Sequence, residues 1–234
     1  MNVRKIPFEW EKSFPSICAH TSISFLKQCS DFHSAKHGDL NAAKGIVDRC
    51  VKLNQLAELR NCYPNAELLP VLTKNKLPIA LAEAIGLKVS MNVSKINSGQ
   101  RKHMGAMMRL LNPPVFTGEV RREVNYIIVD DIITQGGTVA SLRKHILMGG
   151  GNVVAVTALA YAFGAERLSP KEENICMLEN KFGRKKINEI LKKYFIAKSV
   201  YELTNGQISY LLRFKGIDNI IKKISTTMLQ EQGC

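Results

Sequence analysis

The chain has 234 residues, 45% hydrophobic and 23% charged, proportions that fit a folded globular protein and exclude a disordered or collagen-like one. Its 33 Lys and Arg against 20 Asp and Glu leave a formal charge of +13, which favours polyanionic partners: nucleic acid, nucleotides or phosphosugars. The length suits one catalytic-size domain with extensions.

In chain order, residues 1–38 mix Pro7, Pro15, aromatics and polar residues without sustained periodicity, and read as an irregular arm lying on a domain surface. Glu9, Glu11 and Lys12 interrupt any signal-peptide core and no stretch has transmembrane length, so a cytoplasmic location is expected. The six cysteines lack C-x-x-C or zinc-ligand spacing and read as free cytosolic thiols. Cys29, His33 and His37 share a four-residue spacing, but a fourth ligand is missing, so a polar turn is the expected reading. Gly38-Asp39 predicts a helix start, with Leu40, Ala43, Ile46, Val47, Val51 and Leu53 carrying one helix to about Leu59.

Glu67 to Leu72 reads as a strand, Leu77 to Ile85 as a helix stopped by Gly86, and Leu87 to Met91 as a second strand. Asn92 to Val120 is a long, polar, Pro-containing connection of the kind that is usually functional or mobile. Tyr126 to Val129 and Val153 to Ala160 are continuous β-branched and apolar runs, hence buried strands, and Val139 to Met148 is the helix between them, closed by Gly149-Gly150-Gly151. Strands alternating with helices predict an α/β fold: a Rossmann-like parallel sheet flanked by helices, with ligands at the carboxyl ends of the strands. The division expected is an N-terminal arm and helix over 1–64, a core over 65–165, and a basic, mainly helical C-terminal extension over 166–234, with helices at Asn188 to Ile196 and Ile217 to Leu229.

The chemistry concentrates where the Tyr126 to Val129 strand ends. Asp130 and Asp131 close the strand, Thr134-Gln135-Gly136-Gly137-Thr138 forms a turn, and a helix follows. Gly136 and Gly137 let backbone N–H groups converge on a phosphate without Cβ obstruction, and the helix N-terminus adds orphan donors and a favourable dipole. Thr134 and Thr138 add hydroxyl donors. The paired carboxylates suit vicinal sugar hydroxyls or a magnesium ion. A ribose 5-phosphate satisfies both halves.

This run resembles the signature of type I phosphoribosyltransferases, over about residues 65–165. The resemblance implies their fold and a transfer reaction. The phosphoribosyl group of 5-phosphoribosyl-1-pyrophosphate (PRPP) would pass to an acceptor with release of pyrophosphate and with Mg2+ as cofactor. It also implies that Asp130 and Asp131 contact the ribose 2′- and 3′-hydroxyls or the metal, while Thr134, Gln135, Gly136, Gly137 and Thr138 hold the 5′-phosphate. Lys74, Asn75 and Lys76 match in place the family's pyrophosphate loop. The connection with Lys95, Gln100, Arg101, Lys102, His103 and Arg109 matches the loop that closes over PRPP, with Arg101 and Lys102 as pyrophosphate contacts. Thr134 stands where 6-oxopurine salvage enzymes have an aspartate. Orotate-type and competence-associated members have threonine there, so the loop pattern is closest to theirs.

The acceptor-selecting hood of this family is usually built from terminal extensions, and those of this chain match nothing assignable. The expected ligand is PRPP or a nucleoside 5′-phosphate. The rival class is a non-catalytic PRPP- or nucleotide-sensing regulator or a nucleic-acid module, a retron-type defence effector among them. Lys181, Arg184, Lys185, Lys186, Lys192 and Lys193 would then bind nucleic acid. A homodimer or another protein partner stays open, and a membrane partner is not expected.

Overall fold

A computed structural model describes residues 8–96 and 104–232. In chain order the elements are β1 (Cys18–Ala19), α1 (Ile23–Gln28), α2 (Phe32–Lys36), α3 (Leu40–Cys50), α4 (Leu53–Cys62), β2 (Glu67–Pro70) and α5 (Leu77–Ile85). There follow β3 (Val93–Ile96), α6 (Ala106–Leu111), β4 (Val115–Gly118), β5 (Asn125–Ile133), α7 (Gly137–Met148) and β6 (Asn152–Tyr161). The remainder is helical: α8 (Glu172–Phe182), α9 (Arg184–Lys193), a 3-10 turn at Val200–Glu202, α10 (Asn205–Leu211) and α11 (Ile217–Gln232).

The fold is α/β. A four-stranded, all-parallel sheet in the order β1-β6-β5-β2 is flanked by helices on both faces. Continuous apolar runs make β5 and β6 because both faces of a parallel sheet are covered. On one face Ile127 and Val129 pack with α3, α4 and α5 through Ile46, Leu56, Leu81 and Ile85. On the other, Tyr126, Ile128 and Val156 meet Val139, Leu142 and Ile146 of α7 and the arm residues Trp10, Phe14 and Ile17. Each such fully buried aliphatic contributes about 2 kcal/mol.

Several predicted elements appear as expected. Helix α5 spans the predicted Leu77–Ile85 and ends on Gly86, whose φ of +77° lets its N–H return to the Ala82 carbonyl. The Asp39 side chain caps α3 by accepting from the Ala42 N–H.

Other expectations are corrected. Residues 1–38 are not simply an irregular arm: Cys18 and Ala19 pair with Thr157 and Ala158 at the sheet edge, and α1 and α2 follow. The single helix expected to about Leu59 is two, because Val51 and Lys52 are extended and the Lys52 N–H turns to His20 Nδ1. The strand expected at Leu87 to Met91 is one parallel bridge, Leu68 to Val89, since β2 is only four residues long and the chain leaves for an antiparallel β3-β4 pair. Among its described residues, the connection Asn92 to Val120 therefore holds β3, α6 and β4. The arm itself is pinned to α7: Trp10 and Phe14 meet edge to face, and the Arg143 guanidinium stacks over Trp10 at 4.6 Å while donating to the Phe8 and Glu9 carbonyls.

The C-terminal helices form a core of their own. Ile175, Leu178, Phe182, Ile187, Leu191, Ile208, Leu211 and Ile220 pack together, and α6 joins them through Met107 and Leu110. Tyr194, Tyr201, Tyr210 and Phe214 lie against this core, whereas Phe195 is exposed. Among the described residues, no helix is long and apolar enough to cross a membrane.

Candidate functional site

One cavity of about 660 Å3 opens at the carboxyl ends of the strands, where ligands bind in sheets of this kind. Its floor is the segment between β5 and α7. Asp130 and Asp131 lie in the carboxyl-terminal half of β5 at 7% and 8% exposure. Thr134 to Thr138 curl over its end, and α7 begins at Gly137. Gly136 has φ +77°, which a residue with a Cβ adopts only under strain. Twelve helical residues follow, so the first N–H groups of α7 lack helical partners and offer donors with a favourable dipole. Gln135 Nε2 is buried with no hydrogen-bond partner among the described residues. It is one more donor suited to an anion's oxygen.

The acids are not equivalent. Asp130 Oδ1 accepts from the Asp131 N–H at 2.9 Å. Asp131 Oδ2 lies 2.9 Å from Lys36 Nζ, which reaches over from α2 and also sits above the Phe32 ring. Burial, and then the neighbouring Asp131 carboxylate, push the Asp130 acid well above the usual carboxylate range; the Asp131 N–H and Lys36 oppose the shift. Perturbed acids of this kind concentrate at functional sites.

The second wall is the turn after β2. Thr73 Oγ1 accepts from the Asn75 N–H, and Asn75 Oδ1 accepts from the Leu77 N–H, so Asn75 shapes the turn that starts α5. The Lys76 N–H donates to the Ala35 carbonyl and docks this turn on α2.

The structure thus brings Lys74, Asn75, Asp130, Asp131, Thr134, Gln135, Gly136, Gly137 and Thr138 to one cavity, together with Lys95 and Arg109. Lys76 is not among the lining residues. Arg101 and Lys102, with Gln100 and His103, lie outside the described residues. Sequence reasoning missed Ile23, Lys27 and Lys36, which α1 and α2 carry into the cavity wall, and weighed His37, at the end of α2, only as a metal ligand. A lone lysine on a five-residue helix leaves no periodic trace. His33 and His37 stack on each other at 4.0 Å. Among the described residues no group of three His, Cys, Asp or Glu side chains is placed to hold a metal ion.

A site of this make-up, acids at a strand end, a glycine turn, a helix N-terminus and surrounding cations, is suited to a phosphorylated sugar. Several solved structures similar to the chain are phosphoribosyltransferases. They include a purine phosphoribosyltransferase from Pyrococcus horikoshii, 18% identical, with a TM-score of 0.34 over 49% of this chain and 72% of that one. An adenine phosphoribosyltransferase is 17% identical, with a TM-score of 0.37 over 53% of this chain and 72% of its own. Among curated proteins, Protein TraN of Escherichia coli is 30% identical over 223 residues, 91% of this chain and 49% of TraN. An uncharacterized protein of Haemophilus influenzae is 30% identical over 154 residues, 59% of this chain and 34% of that protein. The chain therefore spans half or less of the length of these two relatives. No family model matches it.

Proposed function

We propose that the chain binds PRPP and transfers its phosphoribosyl group to an acceptor with release of pyrophosphate. The observation that carries this reading is the single cavity in which two buried carboxylates at the end of β5 adjoin a glycine turn and the N-terminus of α7. The turn from Thr134 to Thr138 holds the 5′-phosphate through backbone N–H groups and hydroxyls. Asp130 and Asp131 accept hydrogen bonds from the ribose 2′- and 3′-hydroxyls, which fixes the anomeric carbon. Lys74, Lys95 and Arg109 stand on the wall around this cradle and stabilise the charge that develops on the leaving pyrophosphate. Arg101 and Lys102 belong to the same proposal.

The donor set suits magnesium in one form only. Two adjacent carboxylates, one already paired with Lys36, cannot cage the ion, but they fit one that keeps its waters and takes phosphate oxygens. Bound with the substrate, magnesium would supply Lewis-acid stabilisation to the leaving group. Asp130 and Asp131 are the residues that would hold it, directly or through water.

Threonine at position 134 supports an acceptor other than a 6-oxopurine. The nucleic-acid reading has less support: residues 166–234 hold thirteen basic against eight acidic side chains, so most of the chain's excess of +13 lies outside the tail. Along α9, Ile187, Ile190 and Leu191 face inward and the lysines are solvated. We place the protein's action in the cytoplasm. A pyrophosphate-release screen across pyrimidine and purine bases, with PRPP and magnesium, tests the transfer. Release with one acceptor supports it, and none with any acceptor, despite PRPP binding, favours a PRPP-sensing regulator.

A further inference from the structure

The phosphate loop is not self-supporting. Its outer side is fitted against one turn of the C-terminal helical module, Thr204 to Gln207, which begins α10. The Thr204 side chain is fully buried. Its hydroxyl donates to the Gln135 carbonyl and accepts from the Gln207 N–H, while Gln207 Oε1 accepts from the Thr204 N–H at 2.8 Å. Thr204 therefore closes a capping box and spends its one hydroxyl proton on the loop.

Asn205, also buried, ties the turn to its surroundings. Its N–H donates to the Leu168 carbonyl, its Nδ2 to the Gly164 carbonyl, and its Oδ1 accepts from the Lys171 N–H and Asn174 Nδ2. The two segments approach closely: Gly206 lies against the loop backbone, and Gly136 against the side chains of Leu168 and Thr204. A Cβ on Gly206 would lie 3.0 Å from Gln135 Cα and 3.1 Å from the Thr134 and Gln135 carbonyl oxygens. A Cβ on Gly136 would lie 2.7 Å from Leu168 Cδ2 and 3.2 Å from Thr204 Cγ2.

A trans peptide unit is planar, with its C=O and N–H pointing to opposite sides. Holding the Gln135 carbonyl outward on Thr204 therefore turns the next N–H, that of Gly136, toward the cavity which both residues line. The module also grips the opposite wall, because α6 buries Met107 and Leu110 in the module's core and presents Arg109 to the cavity.

We infer that the C-terminal module is a brace for the phosphate cradle, with Thr204 the positioning residue that aims the Gly136 N–H at a phosphate monoester and Gly206 the contact that admits the brace. This rests on the proposed reading of the loop as a phosphate site. In that role the extension presets the loop before ligand arrives, so that little binding energy is lost in ordering it.

The test uses the full chain and its Thr204→Val, Thr204→Ser and Gly206→Ala variants, with ribose 5-phosphate as probe in calorimetry and amide exchange followed along residues 134–138. Valine keeps the shape of threonine and removes the hydroxyl; serine restores it. The brace predicts that Thr204→Val weakens ribose 5-phosphate binding about fivefold, with faster exchange in the loop and unchanged exchange in α8 and α9. Thr204→Ser stays within about twofold of the parent on the same scale. Gly206→Ala, which helix propensity alone would favour, should show the same loss as Thr204→Val. Binding and loop exchange that are the same in Thr204→Val and the parent would overturn the inference. If the parent protein binds no ribose 5-phosphate, the phosphate-site reading fails by itself. Loop exchange then decides the brace: a faster loop in Thr204→Val supports it, and an equal one overturns it.

Discussion

Removing the positive partner of the buried acids should destabilise the fold, and removing one of the acids should not. Lys36 Nζ lies 2.9 Å from Asp131 Oδ2, with the lysine side chain 34% exposed and that of the aspartate 11% exposed. At an effective dielectric of about 20 the gross attraction is about 6 kcal/mol. Solvent around Lys36 and the ordering of its long side chain leave about 1–2 kcal/mol of net stabilisation. Lys36→Met keeps the apolar stem and leaves Asp130 and Asp131 adjacent, buried and without that cation, so it should cost about 1–2 kcal/mol near pH 8. Asp131→Asn removes one of two repelling charges and returns Lys36 to water, so it should be neutral within about 0.5 kcal/mol or stabilising. The assay is urea denaturation followed by fluorescence of Trp10, the chain's single tryptophan, which is buried against the sheet. As pH falls the Lys36→Met loss should shrink, because Asp130, whose acid is raised above the usual carboxylate range, takes up its proton. Equal losses from both variants, or a Lys36→Met loss that ignores pH, would refute the reasoning.

Two titrations act on stability with opposite sign. The folded-state pKa of Asp130 is raised, so folded protein binds the extra proton and stability falls as pH climbs from the ordinary carboxylate value through the raised one. Asp130→Asn should flatten that decline in a stability-pH series. His20 is buried, with Nε2 3.2 Å from Thr157 Oγ1, and burial followed by the Lys52 charge lowers its pKa to about 4. Here the unfolded chain binds the proton first, so stability is lost as pH falls from about 6.5 toward 4, by about 3 kcal/mol at the lower end. Nuclear magnetic resonance of the His20 ring should show it neutral at pH 5.5. Gly136→Ala should cost about 2 kcal/mol in denaturation, since its φ of +77° and the Leu168 contact both oppose a Cβ, and it should weaken ribose 5-phosphate binding as well.

The part of the site legible in the sequence is the part built from consecutive residues. Ile127 to Val139 carries its strand, its acids, its glycines and its helix start in one stretch, and Leu77 to Gly86 likewise carries both helix and stop signal. What was not legible comes from afar. The two residues of β1 are too few for a period-2 pattern, yet they extend the sheet beside β6. Lys36 sits on a five-residue helix whose only link to Asp131 is tertiary. The brace at Thr204 did leave a trace, because Thr204-Asn205-Gly206-Gln207 has capping-box spacing. That spacing announces a helix start at Asn205. Its contact with Gln135, sixty-nine residues away in sequence, is set by packing alone.

The role proposed for the cavity at the end of β5 is recognition of a ribose phosphate. Calorimetric titration of PRPP with magnesium into the parent protein and into the Asp130→Asn, Asp131→Asn double variant tests it most directly. The account predicts one PRPP per chain for the parent and binding lost or weakened at least about tenfold in the double variant. Equal binding by the two proteins, or none by the parent, would contradict it.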